Sequence, residues 1–217
     1  MAPATPRPAA SLILLRRGGR HRQRGVEVLL VRRSPRAGFM PGVWVFPGGV
    51  VESDEMLPPV VEGARGGVGP AEEALDLEEL AHRACAVREL GEEAGIELPG
   101  DAELHPWSRW ITPEAAPVRF DTRFYVALAP PHSPPRPDGT ETTEAAWISP
   151  RGALARHRRG ELSLVFPTIK HLESLLPYGT AEQVLEATAE RPIEPVLPRV
   201  IGEGDERRVV LPGEPGY

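Results

Sequence analysis

Two apolar runs open the chain, Ser11–Leu15 and Val26–Arg32, both rich in leucine and β-branched residues and separated by the polar stretch Arg16–Gly25. Runs this short, with this composition, read as strands and not helices. Val43–Phe46 predicts a third strand, ended by Pro47-Gly48-Gly49, a sequence that continues neither regular structure easily. Met56–Ala71 is rich in glycine and proline and reads as loop. From Glu72 to Ala94 the residues turn to Ala, Leu and Glu, and Gly95 supplies a stop. One long helix, or two with a break, is expected there. Arg119–Leu128 and Ala145–Ser149 predict further strands, and Pro150–His157, Thr168–Leu176 and Ala181–Ala189 predict helices. Arg207–Leu211 is a last strand candidate. The order predicts an α/β sandwich in which helices cover a mixed sheet.

Composition narrows the classes. A length of 217 residues suits one elaborated domain spanning 1–217, with 56–80 as an insertion and 167–217 as C-terminal helices and tail. Hydrophobic residues at 41% and charged residues at 26% exclude a wholly disordered chain. Twenty-two glycines and 26 prolines, without a collagen period, imply stiff loops around a core. No repeat or coiled-coil heptad is visible. A net charge of −6 argues against nucleic acid as partner, and an acidic substrate would need a local basic patch or metal ions. Arg16, Arg17, Arg20, Arg22 and Arg24 make the first loop basic; it reads as a solvated loop, or else as a steering surface for an anion. The single cysteine, Cys85, can form no internal disulfide and reads as a small helix-packing residue. No apolar run approaches membrane-spanning length. Pro3, Pro6 and Pro8 oppose an amphipathic transit helix, so a cytoplasmic protein is expected.

The chemistry concentrates in Arg88-Glu89-Leu90-Gly91-Glu92-Glu93-Ala94-Gly95-Ile96. At about 100° per residue, Glu89, Glu92 and Glu93 share roughly a third of the helix circumference. Ala86, Val87, Leu90 and Ala94 occupy the neighbouring arc and would pack on a sheet. Like charges so placed repel, and a cation would remove that cost. Oxygen-only ligands suit Mg²⁺ or Mn²⁺. The alternative is a solvated acidic helix end. Arg88, four residues before Glu92, can hold that carboxylate in place.

Upstream, Phe46-Pro47-Gly48-Gly49 leads into Glu55 after five further residues. With the helix segment, this resembles the signature of the Nudix hydrolase superfamily: Gly, five residues, Glu, seven residues, then Arg-Glu-aliphatic-any-Glu-Glu-any-Gly-aliphatic. The second half matches at every fixed position. The spacer does not: residues 56–87 number 32 where seven are expected. That leaves Glu55 open to replacement by Asp54 or Glu52. The insertion itself is similar to that of the subfamily of organellar coenzyme A diphosphatases. Residues 38–50, Trp107–Glu114, Arg119–Thr122 and Phe166-Pro167-Thr168 also resemble that subfamily.

The resemblance implies metal-assisted attack of water on a diphosphate-linked substrate, most of all coenzyme A or acyl-CoA. Pyrophosphatase action on ADP-ribose, nucleotide sugars or dinucleoside polyphosphates is the alternative, and a non-catalytic nucleotide-binding module the third reading. By matching position, Glu89, Glu92 and Glu93 become metal ligands, with the Gly48 carbonyl beside them. Glu141, six residues before Trp147, is the first choice of general base, with Glu144 second. Glu92 and Arg88 complete the catalytic group. Arg33, Gly49, Arg119 and Arg123 are the expected substrate contacts. Arg33 stands for the 3′-phosphate of coenzyme A, because guanidinium suits phosphate. Trp44, Trp107 and Trp110 are expected in the core, and the six histidines receive no role. A homodimer is compatible with this reading.

Overall fold

The structure is a computed structural model; it describes residues 3–18, 25–55, 70–202, 204 and 207–217, and the side chains of these except 70–76. Arg20, Arg22 and Arg24, and positions 56–69 of the insertion, lie outside the described residues.

Among the described residues, ten strands and four helices follow one another as β1 (Arg7–Arg17), β2 (Val26–Arg33), β3 (Trp44–Val45), β4 (Gly48–Val50), α1 (Pro70–Ala94), β5 (His105–Ile111), β6 (Phe120–Leu128), β7 (Thr142–Ile148), α2 (Pro150–Arg158), α3 (Phe166–Leu175), α4 (Ala181–Glu186), β8 (Pro195–Val196), β9 (Arg199–Ile201) and β10 (Arg208–Val210). The main sheet runs β3-β2-β1-β6-β5-β8, with β4 on β1 and β7 on β2. It is mixed, as expected: β1 pairs with β6 in parallel and with β2 and β4 antiparallel. A β9–β10 hairpin stands apart as a second sheet.

Period-two alternation on β1 sorts side chains between two cores. Ile13 and Leu15 join Val28, Leu30, Trp107 and Leu172 under α2–α4. Leu12 and Leu14 join Leu29, Val31, Ala86 and Leu90 under α1. Both faces of the central strands are covered, which explains their near-continuous apolar sequence. The α/β/α sandwich expected from the pattern is therefore the observed one.

The strand pairing also makes room for a site. Strand β1 bonds β2 only at Leu15–Arg17, and over Ala9–Ser11 its neighbour is β4. The two strands splay, and the glycines of β4 fill the gap. Proline and glycine were expected to end regular structure at 47–49; instead Gly48–Val50 pairs as a strand. Gly48 tolerates the approach because a Cβ there would lie 2.5 Å from the Ala10 carbonyl oxygen. Strand β5 escaped the pattern reading, since Pro106, Ser108 and Arg109 interrupt its alternation. Helix α4 is shorter than expected, Thr180 capping it at the start and turns replacing its last residues. Among the described residues no helix is long and apolar enough to cross a membrane.

Candidate active site

Helix α1 is continuous from Pro70 to Ala94, so residues 70–80 of the insertion extend it at its start. Its buried positions recur in pairs: Ala81 and His82, Cys85 and Ala86, Glu89 and Leu90, Glu93 and Ala94. That four-residue repeat is one helical stripe. The alanines and Leu90 meet the sheet; Glu89 and Glu93 form the edge that meets β4. Gly95, at φ +61°, ends the helix, and a Cβ there would crowd the Arg136 carbonyl.

Glu89 is 8% exposed and Glu93 3% exposed, so two of the three helix carboxylates are buried in the wall of the site. Glu92 is not; its side chain is 58% exposed. The Gly48 N–H donates to Glu93 Oε2 at 3.0 Å. At Gly49 a Cβ would fall 1.9 Å from Glu89 Oε1, so only glycine lets the backbone pass this carboxylate. Burial pushes the Glu93 carboxyl up to about 8, against the Gly48 bond, and the Glu89 charge adds to the rise. Burial also raises Glu89, with Arg88 opposing it.

Arg88 gathers the acids. Its Nε donates to Glu55 at 2.9 Å, and its Nη1 to Glu89 at 2.9 Å and Glu92 at 2.8 Å. Its Nη2 reaches the Val50 carbonyl at 3.2 Å. The bond to Glu92 is the one expected from the i, i+4 spacing. Glu55, 33 residues from Arg88 in sequence, returns to it across the insertion. Its other oxygen accepts from the Glu52 N–H at 2.7 Å. Of the three acids left open for this position, Glu55 is the one held; Glu52 stands 4.0 Å from Arg88 and Asp54 only accepts from the Glu55 N–H.

Glu141 lies at the start of β7 on an ordered turn. Asp138 accepts from the backbone N–H groups of Glu141 and Thr142, at 2.9 and 2.7 Å. Ser34 N–H donates to the Glu141 carbonyl at 2.7 Å, and Thr142 Oγ1 donates to the carbonyl of Glu93 at 2.6 Å. Strand β7 is thereby tied to the end of α1. The exposed Glu141 carboxylate is near enough to raise both Glu89 and Glu93. Glu144 points elsewhere and pairs with Arg32 across β2–β7 at 2.5 Å. Arg33 is near enough to favour the ionised form of Glu93, and its Nε donates to the Phe39 carbonyl at 3.1 Å.

Two expected substrate contacts are corrected. Arg119 is buried and donates to the carbonyls of Thr112 and Ala4, at 3.0 and 2.7 Å. Arg123 pairs with Glu79 at 2.7 Å and Glu78 at 2.5 Å, about three turns before Glu89 on α1. Arg123 thus lies on a face of β6 that α1 covers, whereas Arg119 precedes the strand. Neither guanidinium is free to grip phosphate. Trp44 and Trp107 are core, whereas Trp110 is partly buried and lines a cavity of about 380 Å³ beside Gly48 and Gly49. Cys85 is buried, and burial pushes its thiol up to about 12, as suits a packing residue. Thr142 and Asp138 escaped sequence reading because their role depends on a turn that brings β7 against α1.

Among the described residues, no three acidic or histidine side chains are closed around a single point. The donor set nevertheless fits a hard divalent cation. Two carboxylates lie buried against a backbone that a Cβ would block, Glu89 bonded to Arg88 and Glu93 with Arg33 nearby.

The pattern of the NUDIX domain family matches residues 5–61 and 63–165. Acyl-coenzyme A diphosphatase NUDT19 of Homo sapiens is 26% identical over 272 aligned residues, covering 89% of this chain and 72% of the relative. The Gallus gallus protein of the same name is 27% identical, covering 88% and 72%. A NUDIX hydrolase crystal structure from Alicyclobacillus acidocaldarius superposes with a TM-score of 0.69 at 26% identity, covering 87% of this chain and 99% of that one.

Proposed function

The chain belongs to the NUDIX family, and from that premise we propose that it is a metal-dependent hydrolase of the diphosphate in coenzyme A or acyl-CoA. The observation that carries this reading is the buried Glu89–Glu93 pair set against the Gly48-Gly49 backbone, with Arg88 bonded to Glu89. The relatives named acyl-coenzyme A diphosphatase, aligned along most of their length, support the substrate.

Glu89, Glu93 and the Gly48 carbonyl would hold Mg²⁺ or Mn²⁺, with Glu92 completing the set. Such ions neutralise diphosphate charge and make water a better nucleophile. Arg88 keeps Glu55, Glu89 and Glu92 in register, so its part is positioning. Glu141 accepts the proton of the attacking water. The water oxygen bonds to phosphorus, the bridging P–O bond breaks, and the products are adenosine 3′,5′-bisphosphate and a 4′-phosphopantetheine. Arg33, on the rim near Glu93, contacts the 3′-phosphate. Gly49 lets substrate approach the backbone closely. Cytoplasmic action is part of the proposal, supported by the single buried, disulfide-free Cys85.

The test compares kcat/KM for coenzyme A, 3′-dephospho-coenzyme A and ADP-ribose, with Mg²⁺, with Mn²⁺ and with chelator, and identifies the products. Coenzyme A is expected to be best and the chelator to abolish turnover. A tenfold preference for ADP-ribose, about 1.4 kcal/mol of transition-state binding, would overturn the assignment.

A further inference from the structure

The cavity beside Gly48 and Gly49 takes no part in the chemistry above. Its walls are Phe39, Met40, Trp110, Phe120, Phe166 and Val209, with smaller residues between them. Among the described residues, no charged side chain lines it. Two of its hydroxyls are committed: Ser11 Oγ donates to the Pro47 carbonyl at 2.9 Å, and Thr112 Oγ1 accepts from the Phe120 N–H at 3.0 Å. A nucleobase or ribose phosphate placed here would leave most of its polar edge unpaired, and each such buried group is costly. A chain whose polar groups are separated by apolar carbons would leave fewer of them unpaired.

The position matters as much as the lining. Gly49 faces Glu89 on one side, and the same two glycines close the cavity, so it begins where the diphosphate would sit. The far wall includes Val209 of the β9–β10 hairpin. Phe39 and Met40 are 44% and 45% exposed, which places them at the solvent edge. The Phe39 ring meets Phe120 edge-on, with centroids 5.8 Å apart. Apolar rings at a cavity mouth make a surface for something greasy passing through it.

We infer that this cavity holds the pantetheine arm of the substrate, and that Phe39 and Met40 at its rim receive the first carbons of a thioester-linked acyl chain, with the nucleotide half outside the cavity. This rests on the coenzyme A reading above and says which half of the molecule lies where. The pantetheine half suits the walls because, one methylene beyond its phosphate, it has a carbon bearing two methyl groups, and its two amides are each followed by two methylenes.

The experiment measures kcat/KM for coenzyme A thioesters of two, six and ten acyl carbons, and for ADP-ribose, in the wild-type protein, Phe39→Ala and Val209→Asp. Phe39 is half exposed and Val209 sits on a separate hairpin, so neither change removes the core. In the wild type, kcat/KM should rise with chain length by up to about fourfold per methylene until the rim is covered. Phe39→Ala should flatten that rise. Val209→Asp should weaken every pantetheine-bearing substrate by about tenfold, and ADP-ribose, which lacks the arm, by much less. Inhibition by the two products supplies a separate readout: Val209→Asp should raise the inhibition constant of 4′-phosphopantetheine and not that of adenosine 3′,5′-bisphosphate. The reverse pattern would place the nucleotide in the cavity and overturn the inference while leaving coenzyme A hydrolysis standing. Rates independent of chain length, or equal losses for ADP-ribose, would overturn it too. No cleavage of any coenzyme A species would instead overturn the functional reading, and this inference with it.

Discussion

Glu93→Gln isolates the cost of the buried carboxylate. In the metal-free protein, burial holds the Glu93 carboxyl at about 8, against 4.5 for an ordinary glutamate. The unfolded chain therefore releases this proton near pH 4.5, and the folded chain keeps it until about pH 8. Between those values the folded state binds the extra proton, so stability is full below pH 4.5, declines as pH rises and levels off above 8. At pH 7 the decline amounts to about 3 kcal/mol. Glutamine keeps the carbonyl that accepts from Gly48 N–H, and it carries no charge at any pH. The variant should thus match the wild type near pH 4.5 and exceed it by about 3 kcal/mol at pH 7. For a chain of this length, that is roughly 6–12 °C in melting temperature. The assay is thermal unfolding of both proteins in chelator between pH 4.5 and 8.5. Turnover should fall in the opposite sense, by about 10² or more, because charge neutralisation at the diphosphate is lost. A melting-temperature difference that does not change with pH would refute the burial argument. A variant with wild-type turnover and unchanged Mg²⁺ dependence would refute the site.

Four further substitutions test the rest of the site. Glu141→Gln should lower kcat by about 10²–10⁴ with little change in substrate affinity, whereas Glu144→Gln should do little, since it removes only a surface ion pair with Arg32. Equal, negligible losses at both would move the base into the helix or the loop before it. Arg33→Ala should shrink the preference for coenzyme A over its 3′-dephospho form; an unchanged ratio of kcat/KM would take Arg33 off the 3′-phosphate. Gly49→Ala would put a methyl 1.9 Å from Glu89 Oε1, so Glu89 must swing away. Turnover should collapse while the circular dichroism spectrum stays native, and wild-type activity would show that Glu89 is dispensable.

What could be read in advance was what depends on local spacing. The central strands announce themselves as leucine and valine runs, and the box glutamates lie at helical intervals whatever surrounds them. Their burial was not legible: from sequence, Glu89, Glu92 and Glu93 are alike. Only the splay of β1 from β2, with β4 in the gap, puts Gly49 over Glu89 and leaves Glu92 in solvent. Arg123 of β6 failed for a related reason. Alternation does not show what covers its face, and the cover is the extra length of α1, which brings Glu78 and Glu79 opposite it. Glu141 already stood ahead of Glu144 from its place before Trp147, but the pairing of Glu144 with Arg32, a contact between residues 112 apart, was not legible.

The same contacts explain how a signature interrupted by an insertion can still build one site. Of the 32 residues between Glu55 and Arg88, positions 70–87 belong to α1. A good charge-assisted hydrogen bond contributes about 1.5–3 kcal/mol. The bond from Arg88 to Glu55 is of this kind, with the Glu55 side chain only 9% exposed. The added helical turns are tied down separately, by Arg123 to Glu78 and Glu79 and by Arg83 to the Leu104 carbonyl. Loop and helix are thus fixed to the same sheet by their own contacts. Arg88 joins the two halves across the interruption, and the spacing between them need not be seven.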